Sequence, residues 1–143
     1  MKFLTGLRAA LFVIVAAASA IPAHAQCYTF QLVGDYSIRI SGTITAGPLA
    51  GLASGLNRTH FDGSGNLTSV DHVSHAGVQP AAEWRPSTGV YVVNPDCTGK
   101  ATLTFTDGQP PLTFYFILSN RGSFDIVVGN AGTNILAVAT RLN

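Results

Sequence analysis

Downstream of residue 27 the chain alternates between apolar and polar positions with a period of two. Ala101, Leu103 and Phe105 oppose Thr102, Thr104 and Thr106, which makes a strand with one apolar and one polar face. Leu112, Phe114, Phe116 and Leu118 form an aromatic and aliphatic stripe, although Tyr115 and Ile117 make the other face apolar too. The pattern predicts strands over Tyr28–Val33, Tyr36–Thr45, Leu56–Phe61, Asn66–Ser74, Gly89–Val93, Ala101–Thr106, Leu112–Ser119, Ser123–Val128 and Asn134–Arg141. Asp62-Gly63-Ser64-Gly65, Asn94-Pro95-Asp96, Asp107-Gly108, Asn120-Arg121-Gly122 and Gly129–Gly132 separate them, and such residues accept turn conformations at low cost. No helical period competes.

Leu136-Ala137-Val138-Ala139 is apolar on both faces, which a single open sheet would leave wet. Eight or nine strands joined by short turns therefore predict an all-β, single-domain, antiparallel up-and-down barrel of about eight strands. A two-sheet sandwich is the alternative, because turn spacing does not separate the two. Gly47–Gly55 interrupts the alternation with small apolar residues. It reads as a flexible connection at the sheet end, and secondarily as a lid over a barrel mouth.

The first 25 residues follow different rules. Lys2 and Arg8 precede an apolar core, Leu11–Ala20, and Ala23-His24-Ala25 ends it with small residues where a signal peptidase cuts. The core is shorter than the ~20 residues a spanning helix needs. The expectation is a signal peptide over 1–25, cleavage before Gln26, and a barrel domain over 26–143 in the periplasm or outside the cell. Taking 25 residues from 143 leaves 118, enough for one domain with a modest core. Without Lys2 and Arg8, six of the eight basic residues face seven acidic ones, a net charge of −1. There is no basic patch to favour nucleic acid or an anionic membrane surface.

Cys27 and Cys97 both fall in the exported part, and an even pair in an oxidising compartment reads as a disulfide. Without a CxxC spacing, a metal site or a cysteine nucleophile is the weaker alternative.

Three stretches carry a resemblance: "GDYSIRISGTI", "THFDGSGNLTSVDHVS" and "GVYVVNPDCTGKATLTF". Together they resemble a group of small exported bacterial proteins in which a G-x-Y start, an FDG-x-G-N turn and a DCTG segment recur in this order. The likeness runs from about Gly34 to Phe116. It implies a small barrel of the calycin or allene-oxide-cyclase-like sort, with an internal cavity for an apolar molecule. It carries over no catalytic residue, and His60 stands where the group has an apolar or hydroxyl side chain.

The chain lacks a nucleotide loop, a GxSxG elbow, an HExxH helix and an EF-hand loop. Titratable groups gather between His60 and Arg85. On a strand, side chains three apart face opposite ways, so His72 and His75 diverge unless the strand ends at Ser74 and His75 begins the turn at Gly77; the adjacent Asp71 and His72 diverge as well. Asp62 reads as a turn residue. These divergences argue against a metal site, which needs three or four converging ligands, and no cofactor is expected. His60, His72 and Asp71 remain as a candidate proton shuttle if they point inward. Trp84, Tyr91, Phe114 and Phe116 are the candidate ligand contacts. Asn57-Arg58-Thr59 and Asn66-Leu67-Thr68 match the glycosylation sequon, although Asn66 has a simpler role in its turn.

Two functions of different class follow. One is a barrel that binds a small apolar molecule in its interior. The other is a cofactor-independent isomerase, lyase or cyclase working in the same cavity. Beside these two stands a non-catalytic, non-carrier alternative, a filled interaction protein with Trp84 and the Pro80–Pro86 loop as its contact surface.

Overall fold

The computed structural model describes residues 26–119 and 122–143. The expected leader and its cleavage point, and two residues of the Asn120–Gly122 turn, lie outside them. Eight strands follow a single 3-10 turn at Thr29–Gln31: β1 Val33–Ile44, β2 Gly51–Asp62, β3 Asn66–His75, β4 Arg85–Val93, β5 Thr98–Phe105, β6 Leu112–Leu118, β7 Ser123–Val128 and β8 Thr133–Arg141. Each pairs antiparallel with its neighbour in sequence, and β8 returns to β1, closing the barrel. This is the up-and-down barrel that the alternation predicts; the sandwich is excluded.

Three elements differ from the sequence reading. Tyr28–Val33 is not a strand: Gln31 and Leu32 donate back to the carbonyls of Tyr28 and Thr29, making a 3-10 turn that drops Leu32 into the barrel end. Gly51–Gly55 is not a connection: it extends β2 to twelve residues, paired with β1 on one side and in part with β3 on the other. A Cβ on Gly55 would lie 2.2 Å from the His72 carbonyl oxygen and 2.7 Å from Val73 Cα, so the close strand approach demands glycine. Pairing here overrides poor strand propensity. The Pro80–Pro86 loop ends early, because Arg85 and Pro86 already pair with Asp71 and Val70 as the start of β4.

The barrel is closed, yet Leu136 and Val138 remain 66% and 50% exposed on its outside.

Inward side chains divide the interior into two halves. At the end where β1 begins, Tyr36, Phe61, Tyr91, Phe116 and Phe124 pack edge-on or tilted, with ring centroids 5.0–5.9 Å apart. Such geometry suits the aromatic quadrupole, and all five residues are buried. Gly99 makes room for it: a Cβ there would sit 2.2 Å from the Phe116 ring. The Tyr91 hydroxyl donates to the Leu32 carbonyl (2.6 Å) and accepts from Gly63 N–H (2.9 Å). A disulfide joins Cys27 to Cys97, and Cys27 N–H donates to the Pro95 carbonyl, fastening the N-terminal segment across this end.

Candidate functional site

The opposite half, where β3 ends and β4 begins, is open. Here the inward row changes from large rings to smaller side chains and encloses a cavity of about 220 Å³. Ile38, Leu103, Phe114, Ile126 and Ala137 give it an apolar wall from β1 and β5–β8. The connections after β1, β3 and β5 surround a wider mouth of about 500 Å³, to which Pro48, Leu49 and Ala50 contribute. Thus part of the small-residue run expected as a connection or lid borders the mouth, while the rest is strand. Leu49, Val73, His75, Arg85 and Gln109 line both spaces and form the neck between them.

From β2, β3 and β4 the cavity is lined by polar side chains (Asn57, Thr59, Asp71, His75 and Arg85) together with Val73, and Ser69 and Ser87 stand behind Asn57. Thr59 Oγ1 donates to Asn57 Oδ1 (2.6 Å), Asn57 Nδ2 donates to Ser69 Oγ (2.7 Å), and Ser87 Oγ donates to the same oxygen (3.1 Å). All four side chains are buried, 6% exposed or less. They face inward because they share strand parity with Phe61, Leu67 and Tyr91.

Nearer the neck, Arg85 clamps Asp71 with two hydrogen bonds, Nε to Oδ1 and Nη2 to Oδ2, each 3.0 Å. Its Nη1 donates to Gln109 Oε1 (2.8 Å) and lies 3.6 Å from Asp107 Oδ2, while the guanidinium stacks 4.0 Å over the Phe105 ring. Asp71, the one acidic or basic side chain buried among the described residues, is therefore neutralised by a bidentate partner. His75 stands beside them with a buried Nδ1 that has no hydrogen-bond partner among the described residues. Burial, helped by the Arg85 charge, holds its pKa below the ordinary value, so the imidazole is neutral at pH 7.

The residues expected to carry chemistry do not converge. Asp71 points inward. His60 is on the outside of β2, half exposed, with Nδ1 3.5 Å from Asp35 Oδ1. His72 is on the outside of β3, where Nδ1 contacts the Glu83 carbonyl (2.6 Å) and Nε2 contacts Gln79 Oε1 (3.0 Å). Of the three residues named for a proton shuttle, Asp71 alone faces the interior; strand parity puts both histidines outside. Asp62 does serve its turn, with Oδ1 accepting from the N–H groups of Ser64 and Asn66 and Oδ2 from the Asn66 amide.

Of the four expected ligand contacts, Phe114 lines the cavity. Tyr91 and Phe116 belong to the sealed end, and Trp84 lies on the outer surface, 49% exposed, edge-on to His72.

Asn57, Thr59, His75 and Arg85 are cavity residues that the sequence reading did not select. Two of them carried a signal: counting back by two from Phe61 reaches Thr59 and Asn57, polar side chains on the apolar parity.

No three His, Cys, Asp or Glu side chains converge among the described residues, and no helix among them is long and apolar enough to cross a membrane. No protein-family model and no curated protein matches the chain.

Proposed function

We propose that the chain is exported and that its barrel binds a small, apolar molecule in the open half, entering through the mouth beside Arg85. The observation that carries this reading is the division of the interior. Five interlocked rings fill one half, whereas the other keeps a cavity of about 220 Å³ with an apolar wall of Ile, Leu, Phe and Ala. An apolar cavity of ~150 Å³ in a protein core is enough to hold benzene. The likeness of the FDG-x-G-N and DCTG segments to small exported barrel proteins supports the same reading.

Its test uses a fluorescent apolar probe, 1-aminoanthracene, titrated into the oxidised protein. Saturable binding that Ala137→Phe abolishes, with the far-ultraviolet spectrum unchanged, is the expected result. Binding that survives Ala137→Phe, or no binding at all, would overturn the proposal.

Proton transfer to or from a bound ligand, without a cofactor, is the second reading. It rests on His75 alone, the neutral imidazole at the neck. A carrier retains its probe affinity in His75→Phe, and no change in a bound compound then depends on that side chain.

A further inference from the structure

The cavity's polar wall says what its occupant must offer. We infer that the ligand is a neutral, largely hydrocarbon molecule with one carbonyl-type acceptor oxygen, and that Asn57 Nδ2 is the donor that anchors it. The inference rests on the proposed binding function and adds the class of ligand.

Asn57 sits in the middle of β2, between Ile38 on β1 and Asp71 on β3, and borders the cavity. Two bonds fix its amide: Oδ1 accepts from Thr59 and Nδ2 gives one hydrogen to Ser69. An amide nitrogen carries two hydrogens. The second has no acceptor among the described residues, although Asn57 is only 6% exposed. A buried N–H without a partner is costlier and rarer than a carbonyl oxygen with a spare lone pair. The second hydrogen of Asn57 Nδ2 is therefore an unmet donor deep in this wall, which selects an acceptor; the other unmet atom, His75 Nδ1, lies out at the neck, where a neutral imidazole presents it as donor or acceptor according to its tautomer.

Charge gives the rest of the class. Arg85 is already shared among Asp71, Gln109 and Asp107, and its two acidic neighbours outnumber it. An anionic ligand would meet no free cation at the neck and one excess carboxylate. A cationic one would leave water for a wall of Leu103, Phe114, Ile126 and Ala137. A neutral molecule avoids both costs.

The experiment compares tetralin with 1-tetralone, which has the same skeleton with one CH₂ replaced by C=O, by calorimetric titration of the oxidised full domain. Asn57→Leu should weaken 1-tetralone about tenfold, the size of one buried hydrogen bond, and change tetralin by less than about twofold. Should that variant fail to fold, Thr59→Val frees the amide and should weaken 1-tetralone alone, by about threefold. The anion of 1,2,3,4-tetrahydro-1-naphthoic acid should bind wild type at least about tenfold more weakly than the ketone. Equal losses of tetralin and 1-tetralone, no loss of either, or an acid that binds as well as the ketone would overturn the inference while leaving a barrel that binds apolar molecules. Failure of wild type to bind both neutral probes would overturn the binding function itself.

Discussion

Replacing Asp71 by Asn removes one charge from the interior and leaves its shape. The carboxylate now accepts two charge-assisted hydrogen bonds of 3.0 Å, with side-chain exposures of 5% for Asp71 and 14% for Arg85. An Asn offers one acceptor and turns an NH₂ towards the guanidinium, so Arg85 is left a cation without its main partner. Breaking one side of a buried pair costs about 3–5 kcal/mol. Arg85 keeps Gln109 at 2.8 Å and Asp107 at 3.6 Å and borders the mouth, which puts Asp71→Asn at the lower end, about 3 kcal/mol. Asp71→Leu with Arg85→Met removes both charges and should lie within about 1 kcal/mol of wild type, or above it, since paired burial rarely exceeds its desolvation cost. Urea unfolding with the disulfide intact measures both, with equal slopes as the condition for comparing them. A loss under about 1 kcal/mol for Asp71→Asn, with the double variant no better, would mean that the pair is solvated and the neck is not built as described.

Three further outcomes follow from other parts of the fold. Cys97→Ser should cost roughly 2–5 kcal/mol, since the bond closes a separation of 70 residues; matching urea midpoints with and without the bond would contradict this. Tyr91→Phe should cost about 1–3 kcal/mol by leaving the Leu32 carbonyl and Gly63 N–H unpaired at the sealed end, as thermal unfolding would report. The two histidines of β3 should titrate in opposite directions by NMR. His72 is raised above 6.5 by its bonds to Glu83 and Gln79, so its stabilising effect is complete below pH 6.5 and lost as pH rises through the folded pKa. His75 is lowered by burial, so it costs no stability above 6.5 and lowers stability as pH falls below that value. Coincident titration of the two at ordinary values would refute the placement of both.

Period-two alternation made the barrel legible, because it marks one buried face on strand after strand, as in β5 and β6. It failed where local propensity and long-range pairing disagree. Gly51–Gly55 reads as a loop by composition, yet β1 and β3 hold it in the sheet, and Gly55 lies where a side chain would strike Val73. The same alternation, applied strictly, separates Asp71 from His72 and puts Asn57 and Thr59 inside. Residue type drew attention to His60 and His72 instead, although their parity turns them outward. What no local pattern reveals is which inward rings reach one another. Tyr91 and Phe116 share the inward face with Phe114, but the barrel's stagger puts them in the sealed half. Arg85 was hidden by its neighbours, since Pro80 and Pro86 disguise the start of β4 as part of a loop.

One half of the barrel is filled with interlocked rings and the other is hollow. Xenon enters dry apolar cavities large enough to hold it, so crystals of the oxidised protein pressurised with xenon test the claim directly. Anomalous density is expected among Phe114, Ile126 and Ala137 and none between Phe61 and Phe124. Xenon absent from the first position, or present among the rings of the second, would contradict it.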